Sequence, residues 1–286
     1  MTTSQTFTAT AAGAVWADII SPVGAVTVTV DPALTHAVIT VSTTDDEGPL
    51  AEAVANATHR EHPYRGMECI RVDIPEPRGA TAVGGGGSRY HFSVGRTVVA
   101  QHIGTVKGSV TGMVVSNGDI VIGGRKIVSN GRVVAPEGTV VQGGVAGTIN
   151  VDVRLPSDRS SVRLETASAD LTVRGDLQIL DVHSVSGDVL AEGVDTLRVA
   201  TTSGDAEAQR VDCRVDVSTV SGDVHIGAYS GSEFRINSVS GDILVSATPA
   251  ADGEMDISTV SGDITTRGTV ELDERVSTAL GDHYRR

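Results

Sequence analysis

The stretch Ser218-Thr219-Val220-Ser221-Gly222-Asp223-Val224-His225-Ile226, STVSGDVHI, returns as NSVSGDILV from Asn237 and as STVSGDITT from Ser258. Aligned on its glycine, the chain holds seven copies, with Ala169, Gly187, Gly204, Gly222, Gly241, Gly262 and Gly281 at the shared position, 17 to 21 residues apart. A period near 20 with strand composition marks a β-solenoid, in which each repeat is one coil stacked on its neighbours. A propeller blade needs about 40 to 45 residues, and a leucine-rich repeat carries helix or asparagine-ladder signatures. Coils about 4.8 Å apart make a rod of about 34 Å. The usual hand of parallel crossovers predicts a mainly β protein built as a right-handed, single-stranded β-helix.

Each column through the stack has a physical role. Five residues before the glycine stand Leu164, Val182, Val199, Val217, Ile236, Ile257 and Val276, an aliphatic ladder that belongs inside. Two residues after it stand Leu171, Val189, Ala206, Val224, Ile243 and Ile264, and the apolar column stops at His283. Three residues before it every copy is Ser or Thr, and the residue just before it is Ser in all copies but the last, which has Leu280. Stacked hydroxyls at these places read as hydrogen-bond ladders at a corner. The glycine is expected where that corner needs a positive φ.

The aspartate that follows repeats as well, through Asp170, Asp188, Asp205, Asp223, Asp242, Asp263 and Asp282. Neighbouring carboxylates at that spacing repel by about 0.9 kcal/mol in water, so the column is expected to face solvent and to accept local turn N–H groups. The sharper reading is a linear calcium site on Asp188, Asp205, Asp223, Asp242 and Asp263, because calcium accepts carboxylate oxygens without strict geometry. Against it, the G-G-x-G-x-D nonapeptide of calcium-bound β-rolls is absent.

A formal charge of −14 opposes nucleic acid and anionic membrane surfaces, which bind through Lys and Arg. No run of 18 apolar residues exists, and MTTSQTFTATAAG has neither the charged start nor the apolar block of a signal peptide, so a cytoplasmic location is expected. Cys69 and Cys213 lack CxxC spacing and read as two buried, reduced thiols. No motif calls for a cofactor.

Residues 1–76 read as a small α+β unit that suits a solenoid cap, with strands near 5–10, 14–20, 25–30, 37–42 and 68–74. Its helix is expected from Pro49 to about His62-Pro63, lying across one sheet face. The sequence His59-Arg60-Glu61-His62 then places two imidazoles at the helix end, without the H-E-x-x-H order of a zinc site. Residues 77–147 read as a glycine-rich linker and a strand-rich insertion, in which Asn117-Gly118 and Asn130-Gly131 signal tight turns. The main β-helix is expected over 148–286.

The order of parts resembles a known family. Phe7 in the first strand, Gly24-Ala25-Val26-Thr27-Val28, the helix, Val72-Asp73-Ile74-Pro75, Val151-Asp152-Val153-Arg154-Leu155-Pro156 and the S-G-D coils follow one another as in the bacterial "putative adhesin" family of β-strand repeat proteins, common in actinobacteria. The likeness covers 5–76 and 148–286 and extends to the filament-forming bactofilins. It implies a right-handed β-helix with no catalytic residues to carry over.

The expected function is therefore non-enzymatic: a structural or scaffold protein working through self-association or a protein partner at the solenoid ends. The alternative is a glycan-binding adhesin or a polysaccharide-processing enzyme, which needs paired carboxylates and aromatic platforms. The non-histidine aromatics, among them Trp16, Tyr64, Tyr229, Phe234 and Tyr284, fall in no one column.

Overall fold

The computed structural model describes residues 2–77 and 148–286, together with the backbone of six strands between 89 and 133. Residues 1–78 and 147–286 form one compact unit, and 79–146 form a second. Among the described residues strands predominate over one short helix, so the fold is a β-solenoid of about seven turns.

The first unit begins with β1 (Thr3–Ala12), β2 (Val15–Ile20), β3 (Val23–Val30) and β4 (His36–Thr43), then α1 (Pro49–Ala55), β5 (Thr58–Tyr64) and β6 (Met67–Asp73). The second unit contains an antiparallel pair, β7 (Arg89–Val94) with β8 (Thr97–His102). It also contains an antiparallel sheet of β9 (Met113–Ser116), β10 (Asp119–Ile122), β11 (Arg125–Ser129) and β12 (Arg132–Val133). Strands pair antiparallel on either side of Asn117-Gly118 and of Asn130-Gly131. Those turns and the run Gly84-Gly85-Gly86-Gly87-Ser88 lie outside the described residues.

The first unit resumes with β13 (Ile149–Leu155), β14 (Ser161–Thr166), β15 (Ser168–Ser184), β16 (Val189–Ala200) and β17 (Ala206–Ser218). It ends with β18 (Val224–Tyr229), β19 (Glu233–Asn237), β20 (Ile243–Ala247), β21 (Gly253–Thr259), β22 (Ile264–Arg267), β23 (Leu272–Thr278) and β24 (His283–Arg285). Each coil lays one strand on each of two parallel faces. One face runs β6, β2, β14, β15, β16, β17, β19, β21, β23. The other runs β13, β3, β15, β16, β17, β18, β20, β22, β24. The long β15, β16 and β17 pass round the second corner, where Leu177, Val194, Val211 and Tyr229 stack in register and are buried.

Both aliphatic ladders stand inside as expected, except that Val276 in the last coil is only half-buried, and both extend beyond the visible repeats. Leu164 pairs with Ile19 and Ile19 with Val72, while Leu171 pairs with Val26, Val26 with Val151 and Val151 with Val41. The N-terminal strands thus supply further rungs of one continuous core, to which Leu50, Ala53 and Val54 of α1 also belong.

The helix is shorter than expected. It stops at Ala55, where Asn56 donates back to the Glu52 carbonyl, and His59 to Pro63 lie in β5, antiparallel to β6. Pro63 is tolerated because β5 is an edge strand that need not donate on its outer side. The pair His59 and His62 therefore does not sit at a helix end, and at an odd separation in a strand the two rings point to opposite faces. His59 instead lies 4.8 Å from the Phe7 ring.

Candidate interaction surface

The S-G-D edge is held together by three kinds of contact between successive coils. At Gly187, Gly204, Gly222, Gly241, Gly262 and Gly281 an added Cβ would overlap the carbonyl oxygen of the residue one coil earlier. Close approach, more than backbone sign, selects glycine here. Only Gly241 and Gly262 of this column have a positive φ, both at 141°, which corrects the expectation that every corner needs one.

The aspartates act between coils and not within the local turn. Asp170 Oδ1 accepts the backbone N–H of Asp188 at 3.1 Å, and the pattern continues through Asp188, Asp205, Asp223, Asp242 and Asp263 to Asp282 at 2.8–3.0 Å. Such a bond offsets part of the repulsion along the column, because each carboxylate meets a dipole aimed at it. Oδ2 of Asp170 through Asp263 makes no hydrogen bond among the described residues, and no ladder aspartate takes part in an ion pair there. Nor do any three or more His, Cys, Asp or Glu among the described residues sit where they could share a metal ion.

Asp223→Asn keeps an acceptor oxygen for the Asp242 N–H, so it changes unfolding free energy by less than about 0.5 kcal/mol. Asp223→Ala removes the acceptor and costs about 1 kcal/mol. Paired denaturant titrations of the two variants check this.

The hydroxyl columns divide in two. Ser186 and Ser203 donate from Oγ to the carbonyls of Ala167 and Val185 in the preceding coil, both at 3.4 Å. One column inward, Thr166 accepts from the Ala169 N–H at 2.7 Å, but the hydroxyls of Ser184, Thr201, Thr219 and Ser238 are buried without a hydrogen-bond partner. The expected inner ladder is therefore incomplete.

Sequence reasoning missed the residue two before the glycine. Val185, Val220, Val239 and Val260 occupy it and are 55%, 49%, 48% and 49% exposed. The backbone hydrogen bonds that follow them, such as Ser240 N–H to the Val220 carbonyl at 2.9 Å, stack Val220, Val239 and Val260 in successive coils, while Thr202 takes the same place between Val185 and Val220. The valine of the repeated VSGD, kept in four copies although it does not alternate inward with the ladders, was the available signal. Along the carboxylates lies a shallow open furrow, lined by Gly204, Gly222 and Gly241, the serine before each, and Asp188, Asp205 and Asp223.

The two ends of the solenoid differ. At the N-terminal end α1 packs on β1 and β4, β5 closes the first face antiparallel to β6, and Glu61 accepts the Thr10 N–H at 3.1 Å. At the C-terminal end β23 pairs only with β21 and β24 only with β22 among the described residues. The core beneath is closed by a polar plug. Glu274 has a side chain only 6% exposed, and its carboxylate lies 3.3 Å from Arg285 and 3.5 Å from His283 and accepts from Thr269 Oγ1 at 3.3 Å. Val270 and Leu280 stand out from this end, 79% and 78% exposed, with Tyr284 at 44%.

The thiols are separate from both places. Cys69 is buried, and burial, with the Asp18 charge beside it, pushes its pKa up to about 11. Asp18, itself raised by burial, is held by Arg71 at 3.0 Å. Cys213 is exposed, contrary to expectation, because it falls at an outward place of the second corner; its pKa is raised by desolvation and by Asp195 and Asp212. Neither is an activated thiolate.

A stack of coils with one glycine-tight edge defines a β-solenoid repeat protein. Residues 144–280, a little under half the chain, match the family model Toastrack DUF4097. No curated protein matches the chain. Among solved structures, the chain is similar to a "putative cell adhesion protein" from Clostridium sporogenes at 6% identity and TM-score 0.33, with 100% of this chain and 99% of that one covered. A "putative adhesin" from Bacteroides fragilis is 12% identical at TM-score 0.38, with 99% and 97% covered. A "putative lipid binding protein" from Parabacteroides distasonis is 10% identical at TM-score 0.40, with 99% and 96% covered.

Proposed function

We propose that this protein is a non-enzymatic scaffold of the cytoplasm that associates with a second copy of itself through the C-terminal end of the solenoid. The observation that carries the reading is that β23 and β24 have no outer strand partner among the described residues and are flanked by the exposed Val270, Leu280 and Tyr284. An unpaired edge offers a row of backbone donors and acceptors to another strand. Asp273 and Arg275 lie two apart on the outward face of β23, so antiparallel pairing of two copies about Glu274 sets the Asp273 of one opposite the Arg275 of the other.

The closed N-terminal end favours a two-fold pair over an open filament of the bactofilin kind, since a filament needs both ends free. The cytoplasmic setting rests on two unpaired thiols. A glycan-binding role is less well supported, because Trp16, Tyr229 and Phe234 are buried and unavailable as sugar platforms.

Size exclusion with light scattering tests the proposal. The unaltered chain is expected to run as a concentration-dependent dimer, and Val270→Glu with Asp273→Arg as a monomer of unchanged melting temperature. A strict monomer for the unaltered chain overturns the reading.

A further inference from the structure

We propose that the S-G-D edge is a docking surface for a basic amphipathic helix of a protein partner. This surface is distinct from the end contact and stands on different observations.

The first is an apolar strip in solvent. Val220, Val239 and Val260 are each about half exposed in three successive coils, with Val185 beyond Thr202 in the same column, where single apolar residues scattered at random would mean little. The second is an unneutralised acidic row beside it. Asp188, Asp205, Asp223, Asp242 and Asp263 use Oδ1 to tie the coils together, carry no ion pair among the described residues, and leave Oδ2 without a hydrogen bond. The third is the shallow furrow along the Ser-Gly steps, lined by Asp188, Asp205 and Asp223.

These features select the partner. Ladder rungs recur about every 4.8 Å, close to the 5.4 Å pitch of an α-helix, so apolar side chains at i, i+3, i+4 and i+7 can follow Val220, Val239 and Val260. An extended strand returns a side chain to one face only every 6.6–6.8 Å or so and loses step with the rungs. Lysine or arginine on the helix flank reaches the Oδ2 row, with the aliphatic stem lying across the furrow. A second copy is disfavoured at this edge, because the same acidic row would face itself in a chain already at −14.

The test uses the full chain and a short, fluorescein-labelled helical peptide of leucine and lysine in amphipathic order, with a leucine and glutamate peptide beside it, read by fluorescence anisotropy across a range of salt. The lysine peptide is expected to bind and the glutamate peptide not. Asp223→Asn with Asp242→Asn is expected to weaken binding about tenfold and to flatten its salt dependence. Val220→Ser with Val239→Ser is expected to weaken it about tenfold with the salt dependence retained. All these side chains are exposed, and melting curves verify that the variants fold. Asp73→Asn with Asp152→Asn, a charge-matched pair away from this edge, should bind as the unaltered chain does.

No binding of the lysine peptide, equal loss in the charge-matched pair, or indifference to the valine pair would each overturn the proposal. The monomeric Val270→Glu, Asp273→Arg variant is titrated too. Full binding there separates this surface from the end contact, whichever way the dimer test falls.

Discussion

Val224→Asp is expected to leave no folded solenoid. Val224 is 1% exposed and stands between Ala206 and Ile243 in a ladder that runs from Val41 to Ile264. A carboxylate there has no partner within the core, and burying an unpaired charge exceeds the few kcal/mol that most single substitutions cost. Coils are stable only through their neighbours, so one broken rung uncouples the stack on either side. Soluble expression and far-ultraviolet circular dichroism check it. A cooperative melt within a few degrees of the unaltered chain would contradict the placement of this ladder.

The second large effect is expected from a single methyl group. Gly222→Ala places a Cβ on the carbonyl oxygen of Gly204, a backbone atom that cannot rotate away. The two coils must separate locally, lengthening the Asp223 N–H bond to Asp205 and the Ser221 N–H bond to the Thr202 carbonyl. A loss of about 3 kcal/mol follows for overpacking against backbone. Gly66→Ala is the comparison, since nothing lies within 4 Å of its added Cβ and only its positive φ of 83° is strained, at about 1 kcal/mol. A loss at Gly222 no larger than that at Gly66 would mean that coil spacing does not select glycine at the edge.

The repeated coils were legible because parallel stacking writes itself into the chain at a fixed period. Leu164 to Val276 and Leu171 to Ile264 could be read as interior from spacing alone, and so could the change from apolar to polar at His283 in the second ladder. The aspartate column was visible too, but its bonds were not. Whether Asp205 accepts from its own turn or from Asp223 depends on how one coil lies over the next.

The N-terminal rungs were hidden for another reason. Ile149 to Leu155 is wedged between β4 and β3, and Ser161 to Glu165 lies on β2, so neighbours in space are more than a hundred residues apart in the chain. No period survives such an insertion. Around His59 the pattern misled, since helical composition ran on through residues that tertiary contact drew into an edge strand on β6. The valine column was overlooked because an exposed aliphatic is ambiguous in sequence: Val220 and Val224 differ only in which side of the corner they occupy.

What the sequence determined by itself was the architecture of coils, the two aliphatic ladders and the composition of the edge, because a side chain's place in a periodic stack follows from its phase. What only the tertiary structure decided was the joining of distant segments into one core, the use of glycine for close approach, the inter-coil aspartate bonds and the contrast between the two ends. Each of these depends on which backbone groups meet across a gap of a few ångströms, and that is set by packing of the whole chain and not by any local run of residues.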